Sequence, residues 1–187
     1  MNEIVGIDFS LTSPCICTNP DQTENFRDCK FYYLTNRKKL AFPHKQYNGK
    51  LHEEYYNDSN RYDNIANWAL DKLDFESNVY LEGYAFGAAA GRVFQIAENT
   101  GILKYRLWKA DMKIYIVEPS KAKKFFTGKG NASKFLMEQV FRTKTGINIY
   151  KELGTTTENP ASDIIDSYAI YLYGLSQMTA NNSTLCN

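Results

Sequence analysis

The sequence predicts an α/β fold in which a mixed, five-stranded sheet is flanked by helices. Three short runs of β-branched and aromatic residues fall within the first 34 residues, and after residue 60 stretches with helical spacing alternate with short apolar runs. This order is typical of a mixed sheet covered by helices. With 187 residues, of which 43% are hydrophobic and 14% aromatic, the chain is long enough for one domain and is not of disordered or collagen-like composition.

The five predicted strands are short runs rich in β-branched and aromatic residues and bounded by turn-forming residues. They cover residues 3–9, 15–18, 29–34, 78–83 and 113–117. The connections between the first three are short, which favours an antiparallel meander. The first and fourth runs each end near an acid, Asp8 and Glu82.

The predicted helices carry apolar residues at helical spacing. They cover residues 61–73, 91–108, a short stretch from Pro119, 132–144 and 161–176. Pro119 and Pro160 stand at predicted helix starts, where proline is tolerated. The polar residues 36–60 are expected to form a long excursion and residues 151–159 a loop. We therefore expect one domain over residues 1–178 and a frayed polar tail over 179–187.

Charge is unevenly distributed, although the net charge is only +1. Residues 101–151 contain twelve Lys or Arg and three Asp or Glu, so this segment is +9 and the rest of the chain is −8. A basic segment of this kind is typical of a surface that binds phosphates, as in nucleic acids. The alternative is a solvated helical face.

Cysteine and histidine usage excludes a typical structural zinc site, because the four cysteines form no C-x-x-C pair and only two histidines are present. The first residues carry acids and no apolar run, so we expect no signal peptide. No apolar run approaches the length of a membrane span. We expect a cytoplasmic protein with reduced thiols and no membrane partner.

Four acids are candidate metal ligands. Asp8 and Glu82 close predicted strands, and Asp163 and Asp166 are three residues apart on one face of the last helix. If these elements meet, the clustered carboxylates require a positive partner, and Mg²⁺ with its preference for oxygen ligands suits them. For each acid taken alone, an ordinary turn, edge, helix-terminal or solvated role is the alternative. Asp166 is unusual, because its neighbours are mostly apolar and a buried acid without a partner is costly.

Four motifs in order resemble the RuvC-type Holliday-junction resolvases, which have an RNase H-like fold. The motifs are Val5–Ser10, Val79–Gly83, Pro119–Lys121 with Gly128–Lys134, and Asp163–Ala169. The resemblance spans roughly residues 3–175, and the short chain with the string Glu82-Gly83-Tyr84-Ala85-Phe86-Gly87 is most similar to the phage-encoded branch.

The resemblance implies a homodimer that nicks four-way DNA junctions with two Mg²⁺ or Mn²⁺ ions per active site. Asp8, Glu82, Asp163 and Asp166 would be the metal-binding catalytic acids, and Lys134 would neutralise charge near the scissile phosphate. Lys123 would hold the DNA backbone, and the helix around residues 91–108 would form the dimer interface. An aromatic residue after the catalytic glutamate, Tyr84 or Phe86, would reach into the junction. The remaining residues assigned to DNA binding are Lys121, Lys124, Lys129 and Arg92.

Two features depart from the family. The first motif reads Asp-Phe-Ser-Leu-Thr-Ser where many relatives have Asp-Pro-Gly, and the segment 36–60 is longer than the usual connection. Within that segment, Tyr47, Tyr55 and Tyr56 with Lys45 and Lys50 suit either DNA contact or capping of the core.

Other functions stay open at this point. A related nuclease acting on flaps, forks or RNA/DNA hybrids would carry the same acids, and a non-catalytic junction-binding protein would carry the same basic segment. The string Gly6–Thr12 also resembles the phosphate-binding strand and turn of actin-like ATPases. That class requires a second glycine-rich turn and a much longer chain, and neither is present.

Overall fold

In the computed structural model, residues 2–84 and 90–184 are described, except for the side chains of 90–92 and 181–184. Within these ranges the chain forms seven strands and six α-helices. The strands are β1 (Ile4–Asp8), β2 (Cys15–Thr18), β3 (Lys30–Thr35), β4 (Pro43–His44), β5 (Tyr47–Leu51), β6 (Asn78–Glu82) and β7 (Lys113–Val117). The helices are α1 (Asp58–Leu70), α2 (Ala90–Lys109), α3 (Pro119–Thr127), α4 (Lys134–Thr145), α5 (Ile149–Leu153) and α6 (Glu158–Thr184).

The strands form one mixed sheet in the order β4-β5-β3-β2-β1-β6-β7. β2 is antiparallel to both β1 and β3, whereas β1, β6 and β7 are parallel to one another and β3 is parallel to β5. Five strands, β1, β3, β5, β6 and β7, therefore point the same way. Their carboxyl ends lie along one side of the sheet, which we call the carboxyl edge.

The prediction of a five-stranded sheet is wrong in number, because the polar excursion 36–60 contains β4 and β5. β5 pairs with β3 in parallel, with Tyr47 opposite Phe31, and β4 has only two residues. Tyr47 is fully buried and caps the core, whereas Tyr55 and Tyr56 are exposed. Gly49 is required inside β5, because a Cβ there would lie 2.1 Å from the carbonyl oxygen of Leu40. Polar residues and a glycine hide the strand pattern from sequence analysis.

Helix boundaries differ from the prediction mainly at the ends. α1 begins at Asp58, where the Asn57 side chain caps it by accepting a hydrogen bond from the Asn60 amide. The predicted loop 151–159 overlaps α5, which spans Ile149–Leu153. α6 begins at Glu158, departs from helical geometry at Asn159 and continues to Thr184, beyond the predicted end at residue 176. No helix in the described ranges is long and apolar enough to cross a membrane.

Helix α6 is the element that positions the site, since it packs across β1 and β2 in the middle of the sheet. One face of the sheet is covered by α6 with α3 and α4, where Phe26, Phe141 and Tyr168 stack edge to face. The other face packs against α1 and α2 through residues such as Trp68 and Leu103. Each face of β1 is therefore buried, and its carboxyl end lies between the two layers.

Candidate active site

Asp8 and Glu82 lie side by side at the carboxyl edge. β1 and β6 are parallel neighbours with Ile7 opposite Leu81, so the next residue on each strand is one of the two acids. Parallel strands that end together present their terminal side chains at the same edge, as expected from the sequence.

Asp163 and Asp166 approach the same edge from α6. They are three residues apart and project from one side of the helix. All four carboxylates are close enough to influence one another electrostatically, because Glu82, Asp163 and Asp166 each raise the pKa of Asp8. The structure thus brings together the four acids that the motifs indicated.

Burial makes this cluster costly to ionise. Asp8 is 8% exposed and Asp163 is 5% exposed. Desolvation, reinforced by the neighbouring carboxylates, raises the pKa of Asp8 well above its usual range. It also raises the pKa of Glu82 to about 7, of Asp163 to about 7 and of Asp166 to about 6. At neutral pH the acids therefore favour any partner that brings positive charge.

Two lysines face the cluster. The charge of Lys134, at the first residue of α4, lowers the pKa values of Asp8, Asp163 and Asp166 against the effect of burial. Lys123, within α3, does the same for Glu82 and Asp166. These are the two lysines that the resemblance assigned to the site.

Two residues near the cluster were not anticipated from the sequence. Glu158 forms an ion pair with Lys134, with 2.7 Å between Oε1 and Nζ. Asn159 Nδ2 donates a hydrogen bond to Asp163 Oδ1 at 3.4 Å. Both immediately precede the predicted start of the last helix. Their polar character before Pro160 predicts a loop and does not by itself indicate contacts with Lys134 and Asp163.

The donor set suits a hard divalent ion. It consists of carboxylate oxygens, and the buried Oδ2 of Asp163 makes no hydrogen bond within 3.5 Å, although the nearby Ser13 hydroxyl lowers the pKa of this acid. A cation could satisfy this oxygen. In the part of the chain that the structure describes, no group of three or more His, Cys, Asp or Glu side chains is placed to hold a metal ion. Mg²⁺ commonly uses one or two carboxylates and completes its shell with water and substrate phosphate oxygens. The residues present therefore fit Mg²⁺ or Mn²⁺ held jointly with a substrate.

A cleft of about 430 Å³ opens beside Asp8 and Glu82. Its walls come from the turn after β1 and from α2, with Phe9, Leu11 and Ile96 among the apolar lining residues. Tyr84 stands at this cleft, with the ammonium group of Lys104 over its ring at 5.8 Å. Of the other residues assigned to DNA binding, Phe86 and the side chain of Arg92 lie outside the described residues.

The remaining lysines assigned to DNA binding lie on or just after α3. Lys121, Lys124 and Lys129 are exposed, and Lys121 pairs with Glu118 at 2.7 Å. Other cations of the basic segment are also paired, as Arg106 is with Asp63. The basic segment therefore contains both free and internally neutralised charges.

Comparisons with known proteins show the fold. No family model matches the sequence, and no curated protein matches it. Thermus thermophilus RuvC in complex with a Holliday junction substrate superposes with a TM-score of 0.61 at 14% identity, covering 96% of this chain and 97% of RuvC.

Two further structures agree with this. The yeast mitochondrial Holliday junction resolvase Ydc2 gives a TM-score of 0.55 at 14% identity, covering 96% of this chain and 81% of Ydc2. Fowlpox virus resolvase, in complex with Holliday junction DNA, gives 0.50 at 15% identity, covering 94% and 98%. The RuvC-type resolvase fold indicated by the four motifs is confirmed.

Proposed function

We propose that this protein is a structure-selective endodeoxyribonuclease that nicks four-way DNA junctions by metal-dependent phosphodiester hydrolysis. The observation that carries the proposal is the convergence of four acids at the carboxyl edge of a RuvC-type fold, with Asp8 and Asp163 buried and Glu82 and Asp166 half-buried. Two of the structures that share this fold are complexes with Holliday junction DNA. The Glu82–Gly87 string, which is similar to the phage-encoded branch of the family, supports a phage-encoded enzyme acting in the cytoplasm of its host.

The four acids would hold two Mg²⁺ or Mn²⁺ ions. When bound, such ions lower the pKa of water and neutralise charge on the attacking and leaving oxygens of a phosphodiester. Asp8 lies at the centre, because it interacts with each of the other three acids. The buried Asp163, fixed through Asn159, would orient its free oxygen toward the site.

Lys134 and Lys123 supply positive charge to the acids from α4 and α3. Lys134 would stabilise the charge that develops on the phosphate as the reaction proceeds. Its ion pair with Glu158 limits where its ammonium group can move. Lys123 and the exposed Lys121, Lys124 and Lys129 would bind the DNA backbone without reading sequence.

A homodimer would place two such sites on opposed strands of a junction. The outward side of α2 supports this, because Phe94, Tyr105 and Trp108 are 71%, 57% and 70% exposed and recur at helical spacing. The neighbouring edge strand β7 adds Ile116, which is 51% exposed. Clustered apolar exposure of this kind is typical of protein–protein interfaces. We propose that α2 packs against its copy in a second subunit.

The decisive experiment is a strand-nicking assay on synthetic branched DNAs. We expect paired nicks in a four-way junction with Mg²⁺ or Mn²⁺ and none in EDTA, with Asp8→Asn binding the junction but not cutting it. Faster cutting of flaps, forks or RNA/DNA hybrids than of junctions would identify one of those structures as the preferred substrate. Tight junction binding without cutting in any metal would identify a non-catalytic junction-binding protein instead.

A further inference from the structure

A second basic surface lies outside the segment 101–151. Residues 36–52 contain five Lys or Arg and no Asp or Glu, although they belong to the part of the chain with a net charge of −8. Three of these cations, Arg37, Lys38 and Lys39, are consecutive and exposed. We call these three residues the basic ridge.

The basic ridge lies at the carboxyl edge, on the same side of the sheet as the acids. It directly follows β3, which ends at Thr35 and runs parallel to β1. β3 is separated from β1 only by β2, so these two strands lie roughly 10 Å apart, given about 4.8 Å between neighbouring strands. Asp8 is level with Tyr33 through Cys15. Arg37 follows Tyr33 by four residues. The lysines of α3 and α4 approach the acids from other elements, which leaves the basic ridge as a separate positive surface.

A groove joins the ridge to the acids. Its volume is about 310 Å³, and it is lined by Ser13, Arg37 and Asn159 among other residues. Asn159 donates its hydrogen bond to Asp163, so the groove extends from Arg37 to a residue bonded to the carboxylate cluster. A DNA strand advances about 3.4 Å per nucleotide, so about three or more nucleotides would lie between the acids and the ridge.

The basic ridge is held in place by β5, a strand that was not predicted from the sequence. Leu40, at the end of the 3₁₀ turn Lys38–Leu40, is buried, and its carbonyl oxygen accepts a hydrogen bond from Tyr33 Oη at 2.9 Å. The bare backbone of Gly49 on β5 fits directly under that carbonyl. The cations therefore extend from a fixed backbone, which reduces the entropy lost on binding.

The charges of the ridge are available to a ligand. Across residues 2–84 and 90–184, no acid lies within ion-pair distance of Arg37, Lys38 or Lys39, whereas the nearby Lys50 pairs with Glu53 at 2.9 Å. Glu158 also lines the groove, but its carboxylate is paired with Lys134.

We propose that the basic ridge binds backbone phosphates of the DNA arm that leaves the carboxylate cluster along this groove. This inference rests on the proposed function and adds a partner surface to it. The junction would then be held from two sides, by α3 with its following turn and by the ridge.

The test compares two triple variants of equal charge change by fluorescence anisotropy with a labelled four-way junction in EDTA. The ridge variant is Arg37→Gln, Lys38→Gln and Lys39→Gln. The control is Lys30→Gln, Lys45→Gln and Lys72→Gln. Lys30 is the first residue of β3, Lys45 precedes β5, and Lys72 follows α1, which places the control residues at the opposite edge of the sheet. Thermal unfolding of both variants checks that they fold.

The readout is the slope of log affinity against log salt between about 50 and 200 mM. Each lost phosphate contact lowers its magnitude by about 0.9 on duplex DNA, so we expect a drop of about 2–3 for the ridge variant and less than about 1 for the control. An unchanged slope for a folded ridge variant would overturn the proposal, and so would equal losses in both variants, because these would report net charge alone.

The binding assay is independent of cleavage. If the wild-type protein binds junctions through the ridge but cuts no branched DNA, the nuclease proposal fails and the ridge stands. If the wild-type protein cuts junctions and the ridge variant keeps its salt slope, only the ridge proposal fails.

Discussion

A Cβ atom on Gly6 would lie 2.4 Å from the carbonyl oxygen of Ser167, so β1 and α6 are in contact backbone to backbone at this point. Asp8 follows Gly6 by two residues on the strand, and Asp166 directly precedes Ser167 on the helix. The same contact therefore fixes the approach of the α6 carboxylates to the β1 carboxylate. Any side chain at position 6 would separate the two elements.

Replacing Gly6 with Ala is expected to destabilise the protein and to impair nicking together. Overpacking typically costs about 1–3 kcal/mol, and here the obstacle is backbone that cannot rotate away. Denaturant unfolding in EDTA would measure the loss of stability. A nicking assay well below the unfolding transition would measure the displacement of Asp163 and Asp166.

Gly101 provides the matched control for this substitution. It lies on the outward side of α2, in line with Tyr105 and Trp108, and no atom of the same chain comes within 4 Å of a Cβ built there. It is therefore a control for the stability of the subunit and not for nicking by the proposed dimer. Because alanine is the better helix former by up to about 1 kcal/mol, Gly101→Ala should leave stability unchanged or raise it. If Gly6→Ala is as stable as Gly101→Ala and nicks normally, the close packing of α6 on β1 is not what positions the acids.

The sequence was most informative where local pattern and chemistry coincide. Asp8 and Glu82 stand at the ends of β-branched runs, and Asp166 interrupts an apolar helix face, so each acid had its own signal. β5 had none, because Asn48, Gly49 and Lys50 interrupt its alternation and its pairing with β3 joins residues 16 positions apart in sequence, as Phe31 and Tyr47 are. Glu158 and Asn159 acquire their roles only through tertiary contacts with Lys134 and Asp163.

The carboxylate cluster should make the metal-free protein less stable as pH rises. The folded pKa values of Glu82, Asp163 and Asp166 are raised to about 7, 7 and 6, above the usual values of about 4 in an unfolded chain. Their protonation therefore favours the folded state, and this contribution is complete below about pH 4 and is lost as pH rises through about 6–7. Unfolding free energies in EDTA across this range would measure it.

Mg²⁺ should reverse part of this loss, because an ion that binds only the folded protein stabilises it. We expect the stability gained from saturating Mg²⁺ to be larger at pH 8 than at pH 5, where the acids are protonated. A gain that does not depend on pH would show that the ion binds elsewhere.

Asp8→Asn should stabilise the metal-free protein at pH 8 while abolishing nicking. The substitution keeps the shape of the side chain and removes a charge that burial and three neighbouring acids make unfavourable. We expect the unfolding free energy of the variant in EDTA to exceed that of the wild type at pH 8, and the difference to shrink as pH falls. The unfolding free energies of the variant and the wild type, each measured in EDTA and in Mg²⁺, test the stability, and a nicking assay tests the activity. A variant that is less stable than wild type in EDTA and still cuts junctions would contradict both parts.

Lys134→Met should lower the nicking rate by about 10²–10³-fold, the range seen when one charge-stabilising donor is removed. Junction affinity should change much less, since Lys134 is only one of several cations near the acids. Single-turnover nicking and anisotropy separate the two effects. Lys144→Met is the control, because Lys144 is an exposed residue at the other end of α4. Equal nicking rates for the two variants would show that Lys134 does not contribute to the reaction.

Trp108→Glu should convert the proposed dimer into a monomer. Trp108 is 70% exposed, packs beside Tyr105 at 6.0 Å between ring centroids and lies on the apolar side of α2, so a buried, unpaired carboxylate would oppose association there. Phe75→Glu is the matched control, since Phe75 is 80% exposed but lies in the turn between α1 and β6. Sedimentation should find the wild type and Phe75→Glu dimeric and Trp108→Glu monomeric.

The monomer should make single nicks in place of paired ones, because only one site would then engage each junction. A Trp108→Glu protein that stays dimeric would place the interface on another surface, and a wild type that is monomeric with and without junction DNA would exclude the homodimer itself.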